Sequence, residues 1–274
     1  MSLLHRHLAP LSARAWQTLD DEARQVLTPH LAARKLVDFK GPLGLEAAAV
    51  NTGRVEPLPA PPLEGVRAER RAVAPLVELR VPFEIARAEL DAIDRGAADP
   101  DLAPLHEAAK RIARAEDTMV FHGYPAAGIE GIEKLTPHER VPLEDDFESY
   151  PRAVATATRL LRSAGVDGPY AIALGPRCYA GLLQATAHGG YPILEIVRRA
   201  VDGPLVWAPA VDGSIVMSLR GGDFELTVGQ DLSIGYASHD ERTVKLYLIE
   251  SLTFRVLSPE AAVALRYRNP ASSG

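Results

Sequence analysis

Thirteen residues near the carboxy end, Val244 to Val256, constrain this chain more than any other stretch. Val244, Leu246, Leu248, Leu252, Phe254 and Val256 fall on alternate positions, and only Glu250 breaks the apolar series. Period-two alternation is the signature of a strand with one buried face, and thirteen residues at ~3.3 Å each give a ribbon of about 43 Å. Strands usually stop at about five or six residues. A ribbon this long fits an extended, flattened subunit better than a compact globule.

Two further segments point the same way. From Pro104 to His122, Leu105, Ala108, Ile112, Ala115 and Met119 recur at spacings of three and four, so a single amphipathic helix is predicted, with Glu107 and Arg111 pairing on its outer face. Between Arg54 and Val66 stand Pro57, Pro59, Pro61 and Pro62 with little apolar material to pack. Proline removes backbone donors and excludes a central strand. Val77, Leu79, Val81 and Phe83 then alternate with Glu78, Arg80 and Glu84, and the whole stretch reads as an arm that leaves the body and returns.

The rest is mixed helix and strand. Ser12 is placed to cap a first helix carrying Trp16, Leu19, Ala23 and Val26, and Thr28-Pro29 predicts a restart through Leu31, Leu36 and Val37. Helices are predicted over 152–164, 177–186 and 194–201, with strands over 170–174, 206–207 and 215–219. The last residues are polar.

The chain has 274 residues, 47% of them hydrophobic, and contains no apolar run long enough to span a bilayer and no secretory leader pattern. One cysteine, Cys178, excludes an intrachain disulfide framework and any multi-cysteine metal site, which points to the cytosol. A formal charge of -6 argues against a nucleic-acid partner.

Chemistry-bearing motifs are scarce. No glycine-rich phosphate loop, nucleophile elbow or zinc-helix signature occurs. Of the eight histidines only His5 and His7 approach ligand spacing, and a solvated terminus accounts for them, so no metal is expected. Cys178 with His188 is the one conceivable thiol–base couple, but Cys178 reads as a small hydrophobe packed on a helix. Glu144-Asp145-Asp146 and Gly221-Gly222-Asp223 read as turns. An assembly protein, not an enzyme, is the expectation.

Residues along most of the chain resemble the encapsulins, the linocin-like bacterial nanocompartment shell proteins that share the tailed-phage major capsid fold. They include Leu8-Ala9-Pro10-Leu11, Trp16, Ala33-Arg34-Lys35-Leu36-Val37-Asp38, Gly41-Pro42, Pro75-Leu76-Val77-Glu78-Leu79-Arg80, Glu89-Leu90-Asp91 with Arg95-Gly96, and Glu116-Asp117. They continue with Gly168-Pro169-Tyr170, His188 with Tyr191-Pro192, Arg220-Gly221-Gly222-Asp223-Phe224, and the block Gly229-Gln230-Asp231-Leu232-Ser233-Ile234-Gly235-Tyr236.

The resemblance implies an α+β capsid fold. Residues 1–40 would form an inner-face helical segment. Residues 41–123 and 224–265 would form a peripheral domain, with an extended loop at about 50–82 and a spine helix at about 104–122. Residues 124–223 would form an axial domain, and 266–274 a flexible tail. It implies a closed icosahedral shell, most simply of sixty subunits, enclosing cargo such as a dye-decolourising peroxidase or a ferritin-like protein. Cargo would dock by a carboxy-terminal peptide on Val26, Leu27, Leu31, Arg34, Leu36, Asp38, Phe39, Ile234, Tyr236, Tyr247 and Ile249. Ala187, His188, Gly189, Gly190 and Tyr191 would line a five-fold pore. Some relatives bind a flavin, but 84–94 offers no aromatic to stack on one, so no cofactor is expected. A DNA-packaging phage capsid protein and a protease or bacteriocin are the rival readings.

Overall fold

The computed structural model describes residues 3–267. After a 3-10 turn at Arg6–Leu8, helix α1 (Ala13–His30) starts where Ser12 Oγ accepts the Ala15 N–H at 3.0 Å. Ala15, Leu19, Ala23 and Leu27, four residues apart, form its buried stripe. The restart expected at Thr28-Pro29 does not occur. Pro29 falls in the last turn, where its missing N–H costs a single bond, and α1 runs through it. Only a 3-10 turn, Ala33–Lys35, follows before strand β1 (Asp38–Lys40).

Strands β2 (Ala49–Pro57) and β3 (Glu69–Pro75) pair with each other alone and form the arm, carrying exposed Val55, Leu58, Leu63, Val66 and Val73. The expected arm boundary at 82 is too long. Strand β4 (Val77–Ala86) already belongs to the body, because its alternate residues Val81, Phe83 and Ile85 are buried. Helices α2 (Arg87–Arg95) and α3 (Ala103–Phe121) come next. The rod is as expected at 104–122, but Glu107 pairs with Lys110 at 2.8 Å and not with Arg111, and Glu116 and Asp117 are buried while Ala115 is only half-buried.

A two-strand turn, β5 (Gly123–Tyr124) and β6 (Ile129–Glu130), leads to α4 (Ile132–Leu135), β7 (Val141–Leu143) and α5 (Tyr150–Ser163). Strand β8 (Tyr170–Leu174), helices α6 (Pro176–Gln184) and α7 (Ile193–Val201), and strands β9 (Leu205–Trp207) and β10 (Ser214–Ser218) follow close to the expected positions. The chain ends in β11 (Phe224–Val228), β12 (Ser233–His239), β13 (Thr243–Val256) and β14 (Ala262–Tyr267).

Strand β13 is the predicted ribbon and organises the first sheet. Along one side it pairs with β4, from Thr243↔Ala86 to Leu252↔Val77. Along the other it pairs first with β12 (Val244 to Ile249) and then with β11 (Leu252 to Val256), and β1 joins the outside of β11. Helices α1 and α3 cover the Leu246, Leu248 face of this sheet with Leu19, Leu27, Leu105 and Ile112. The second sheet runs β7-β14-β10-β8-β9.

The second sheet corrects the expected domain boundary. Ala262 to Leu265 were placed with the peripheral segments, but β14 is antiparallel to β10 and parallel to β7, with Ala262, Val263, Ala264 and Leu265 all buried. The expected flexible tail also starts too early. Arg266 is held by Glu133 and Tyr267 stacks beneath Arg177 at 3.8 Å, and the remainder, 268–274, lies outside the described residues.

Candidate docking groove

Between α1 and β12 the surface opens into a groove of about 510 Å³, floored by Leu27, Leu31, Ile234 and Leu248 and rimmed by Arg6, Asp20, Thr28, Asp231 and Ser233. Its apolar floor comes from one stripe of α1 meeting one face of β12 and β13. Thr28, on the outer turn, spends its hydroxyl on the Arg24 carbonyl at 2.7 Å. An apolar floor between polar rims suits an extended peptide better than a small metabolite.

One end is built by the break between β11 and β12. Residues 229–232 do not pair regularly with β13. Ser251 N–H donates to the Gln230 carbonyl at 2.9 Å, and Gln230 N–H donates to Ser251 Oγ at 2.8 Å. Through this break the Arg34 guanidinium reaches the interior. It donates to Glu116 Oε2 at 2.7 Å, to Asp231 Oδ1 at 2.9 Å and to Glu250, and it lies 5.0 Å from the Phe39 ring. Glu116 and Glu250 are fully buried. Glu250, the residue that interrupts the apolar series of β13, is therefore the inner anchor of an ion-pair cluster.

The electrostatics follow from burial. Burial works against the Arg34 charge, but Glu116 and then Glu250 and Asp231 outweigh it and hold the guanidinium more firmly protonated than usual. Burial first, and then the Glu116 charge, push the Glu250 carboxyl well above the ordinary carboxylate range. Next to it, Asp117 accepts the Ala32 and Ala33 N–H groups at 3.1 and 2.9 Å and so ties the end of α1 to α3. Burial lifts its carboxyl to about 7 against the pull of those two donors.

The structure gathers Leu27, Leu31, Arg34 and Ile234 of the expected peptide-binding set in this groove. Val26 is half-buried beside it on α1, and Tyr236 follows Ile234 on β12 with its hydroxyl 2.6 Å from His239 Nδ1. Leu36 and Asp38 line a separate, smaller depression that shares Arg34, where Asp38 accepts the Gly222 N–H at 2.6 Å. Phe39, on β1, is partly exposed against Arg34. Tyr247 and Ile249 are not brought into the groove. They alternate with Leu246 and Leu248 on β13 and so face the opposite side of the sheet. There the Tyr247 ring covers Gly235, where a Cβ would come within 2.3 Å of it, and packs under Arg80 at 4.2 Å.

Sequence reasoning missed Leu4, Arg6, Asp20 and Leu248 as groove residues. Leu248 was legible from the β13 alternation. The amino-terminal residues carry no periodic signal and join the groove only through tertiary contacts.

The expected pore residues form a projecting loop between α6 and α7. Ala187 N–H donates to the Tyr191 carbonyl at 2.8 Å, closing a turn in which Gly189 and Gly190 have φ of 92° and 80°, a region that favours glycine. The His188 side chain is almost wholly exposed, 3.4 Å from Glu148. Cys178 is buried with its thiol 3.3 Å from the Tyr267 hydroxyl, and burial pushes that thiol up, away from nucleophilic use. Among the described residues no cluster of three or more potential metal ligands occurs, and no helix is long and apolar enough to cross a membrane.

A family model described as "Encapsulating protein for peroxidase" (Linocin_M18) matches residues 1–253. The type 1 encapsulin shell protein of Rhodospirillum rubrum is 54% identical over 271 residues, with 97% of each chain covered. That of Rhodococcus erythropolis is 46% identical over 265 residues, covering 97% of this chain and all of its own length (100%). In fold, the chain is similar to a virus-like particle protein from Pyrococcus furiosus, with a TM-score of 0.63 at 17% identity over 92% of this chain and 99% of that one. It is also similar to the capsid protein of an empty GTA particle, with a TM-score of 0.53 at 14% identity over 87% and 90% of the two chains.

Proposed function

Because the chain belongs to the encapsulin shell family, whose relatives are structural and not catalytic, we propose that it closes into an icosahedral compartment and holds cargo enzymes by their carboxy-terminal tails in the groove between α1 and β12. Its capsid-like fold makes it a shell-building protein that assembles from many copies. Repeated contacts under closed symmetry give a shell and not a filament. Sixty chains of 29.5 kDa would come to about 1.8 MDa.

The observation that carries the cargo reading is the groove itself. Its floor of Leu27, Leu31, Ile234 and Leu248 offers apolar anchor points, and the polar rim at Thr28, Asp231 and Ser233 offers register. Weak single contacts suffice when an oligomeric cargo presents several tails at once. The family description, a protein encapsulating peroxidase, supports a dye-decolourising peroxidase as the first cargo to try, with a ferritin-like protein as the second. In the same reading the 187–191 loop rims a five-fold pore, the 49–75 arm clasps a neighbouring subunit, and the compartment stands in the cytosol.

The test is co-expression of the shell with a fluorescent protein carrying the carboxy-terminal tail of a dye-decolourising peroxidase. Wild-type shells are expected to co-purify with fluorescence, and Leu31→Asp shells to assemble but emerge empty, because a carboxylate on the groove floor repels an apolar anchor. Equal loading of both would refute the groove assignment.

A further inference from the structure

The groove is closed at one end by the chain's own first residues. Strand β12 is a sheet edge: β13 takes one side, and its outer side faces residues 4–6. On that outer side Tyr236 N–H donates to the Leu4 carbonyl at 2.8 Å, and the Ile234 carbonyl accepts from Arg6 Nε at 2.8 Å. These are the alternate backbone groups that an added strand would use. Tyr247 Oη also donates to the Leu3 carbonyl at 3.1 Å.

The segment is held by polar contacts with little packing beneath it. Leu3 and Leu8 are more than half exposed, and no residue of the Arg6–Leu8 turn is buried. Its charged pin is Arg6. The guanidinium grips both oxygens of Asp20 on α1 at 2.8 and 2.5 Å and lies 4.4 Å above the Trp16 ring. Beside it His5 adopts a left-handed backbone at φ 49°, unusual for a residue with a side chain, which marks the bend between the part lying on β12 and the part leading to α1.

We propose that residues 3–8 are a strap pinned by Arg6 to Asp20, and that an incoming cargo tail displaces it and pairs as an added strand on the Ile234–Tyr236 edge of β12. The inference rests on the groove reading above and adds to it a mode of recognition and an internal competitor. Two features support competition over a permanent wall. The strap occupies the backbone groups that give an extended peptide its main-chain affinity, and Leu4 lines the groove near the Ile234 anchor. A site open only part of the time binds with its affinity reduced by that fraction. Releasing the Arg6–Asp20 pin therefore raises apparent affinity, by about tenfold for the loss of one charge-assisted pair.

The test uses Arg6→Ala and Asp20→Asn, which break the pin from either side, in assembled shells checked by size. The probe is the tail-bearing fluorescent protein, supplied at a limiting level. Amide exchange at Tyr236 is followed on the empty shells. Both variants are expected to load several-fold more probe than wild type and to lose protection at the Tyr236 amide. Loading equal to or below wild type, with Leu31→Asp still empty, would overturn the strap and leave the groove reading standing. Wild type, both pin variants and Leu31→Asp all loading alike would overturn the groove reading, and the strap with it.

Discussion

Replacing Arg34 with methionine keeps an unbranched stem and removes the guanidinium, with its contact to the Phe39 ring. Arg34 is the one cation that bonds Glu116 and Glu250 among the described residues, and both acids are fully buried. Without it two carboxyls face each other in the dry interior between α3 and β13. Breaking a buried pair by removing one partner costs about 3–5 kcal/mol, and for a domain of this size each kcal/mol moves Tm by about 2–4 °C, so a loss on the order of 10 °C is expected. The pH dependence separates this cause from ordinary packing loss. Acids that gain protons more readily in the folded than in the unfolded state lose stability as pH rises. The deficit of Arg34→Met is therefore larger at a pH of about 8 than at about 5, because the Glu250 carboxyl, pushed up by burial, takes up a proton as pH falls and unmet hydrogen bonds, worth about 1–3 kcal/mol, become the larger part of the cost. Adding Glu250→Gln to Arg34→Met should recover part of the loss at the higher pH. The assay is thermal unfolding of purified shells at the two pH values, followed by tryptophan fluorescence. A shift of only a degree or two, or one independent of pH, would refute the claim that Arg34 holds two buried acids.

Two further perturbations probe other parts of the molecule. The Asp117 carboxyl, lifted from 3.8 to about 7 by burial, makes the folded state bind a proton more tightly, so its contribution declines as pH rises through that window. Asp117→Asn should flatten the fall in Tm between pH 4 and 7 and cost about 1 kcal/mol through weaker acceptance of the Ala32 and Ala33 N–H groups; an unchanged slope would contradict it. Deleting residues 57–65, the tip of the β2–β3 arm, should leave monomers folded, because the arm strands pair only with each other, yet prevent closure; normal shells by electron microscopy would refute the clasp.

The parts of the fold that were legible from sequence have a strong local period. Thirteen alternating residues gave β13, and a helical stripe gave α3, each within a residue or two. What failed depended on distant partners. Whether Pro29 breaks a helix depends on its place in the last turn of α1. The arm ends at Pro75 and not at 82 because β13 supplies a partner for Val77–Pro82. Strand β14 joins the second sheet because β10 and β7 offer it two edges. The groove was half legible for the same reason. Leu27, Leu31, Arg34 and Ile234 converge, but strand alternation turns Tyr247 and Ile249 away, and the residues 3–6 that close one end carry no pattern a linear reading could detect. Glu250 looked like an interruption of an apolar strand, and only its partners, Arg34 and Glu116, give it a role.

The most direct test of the shell assignment is size-exclusion chromatography of the purified chain with negative-stain electron microscopy of the leading peak. Uniform hollow spheres eluting in the megadalton range are the predicted result. Monomers or small oligomers under gentle conditions would contradict it.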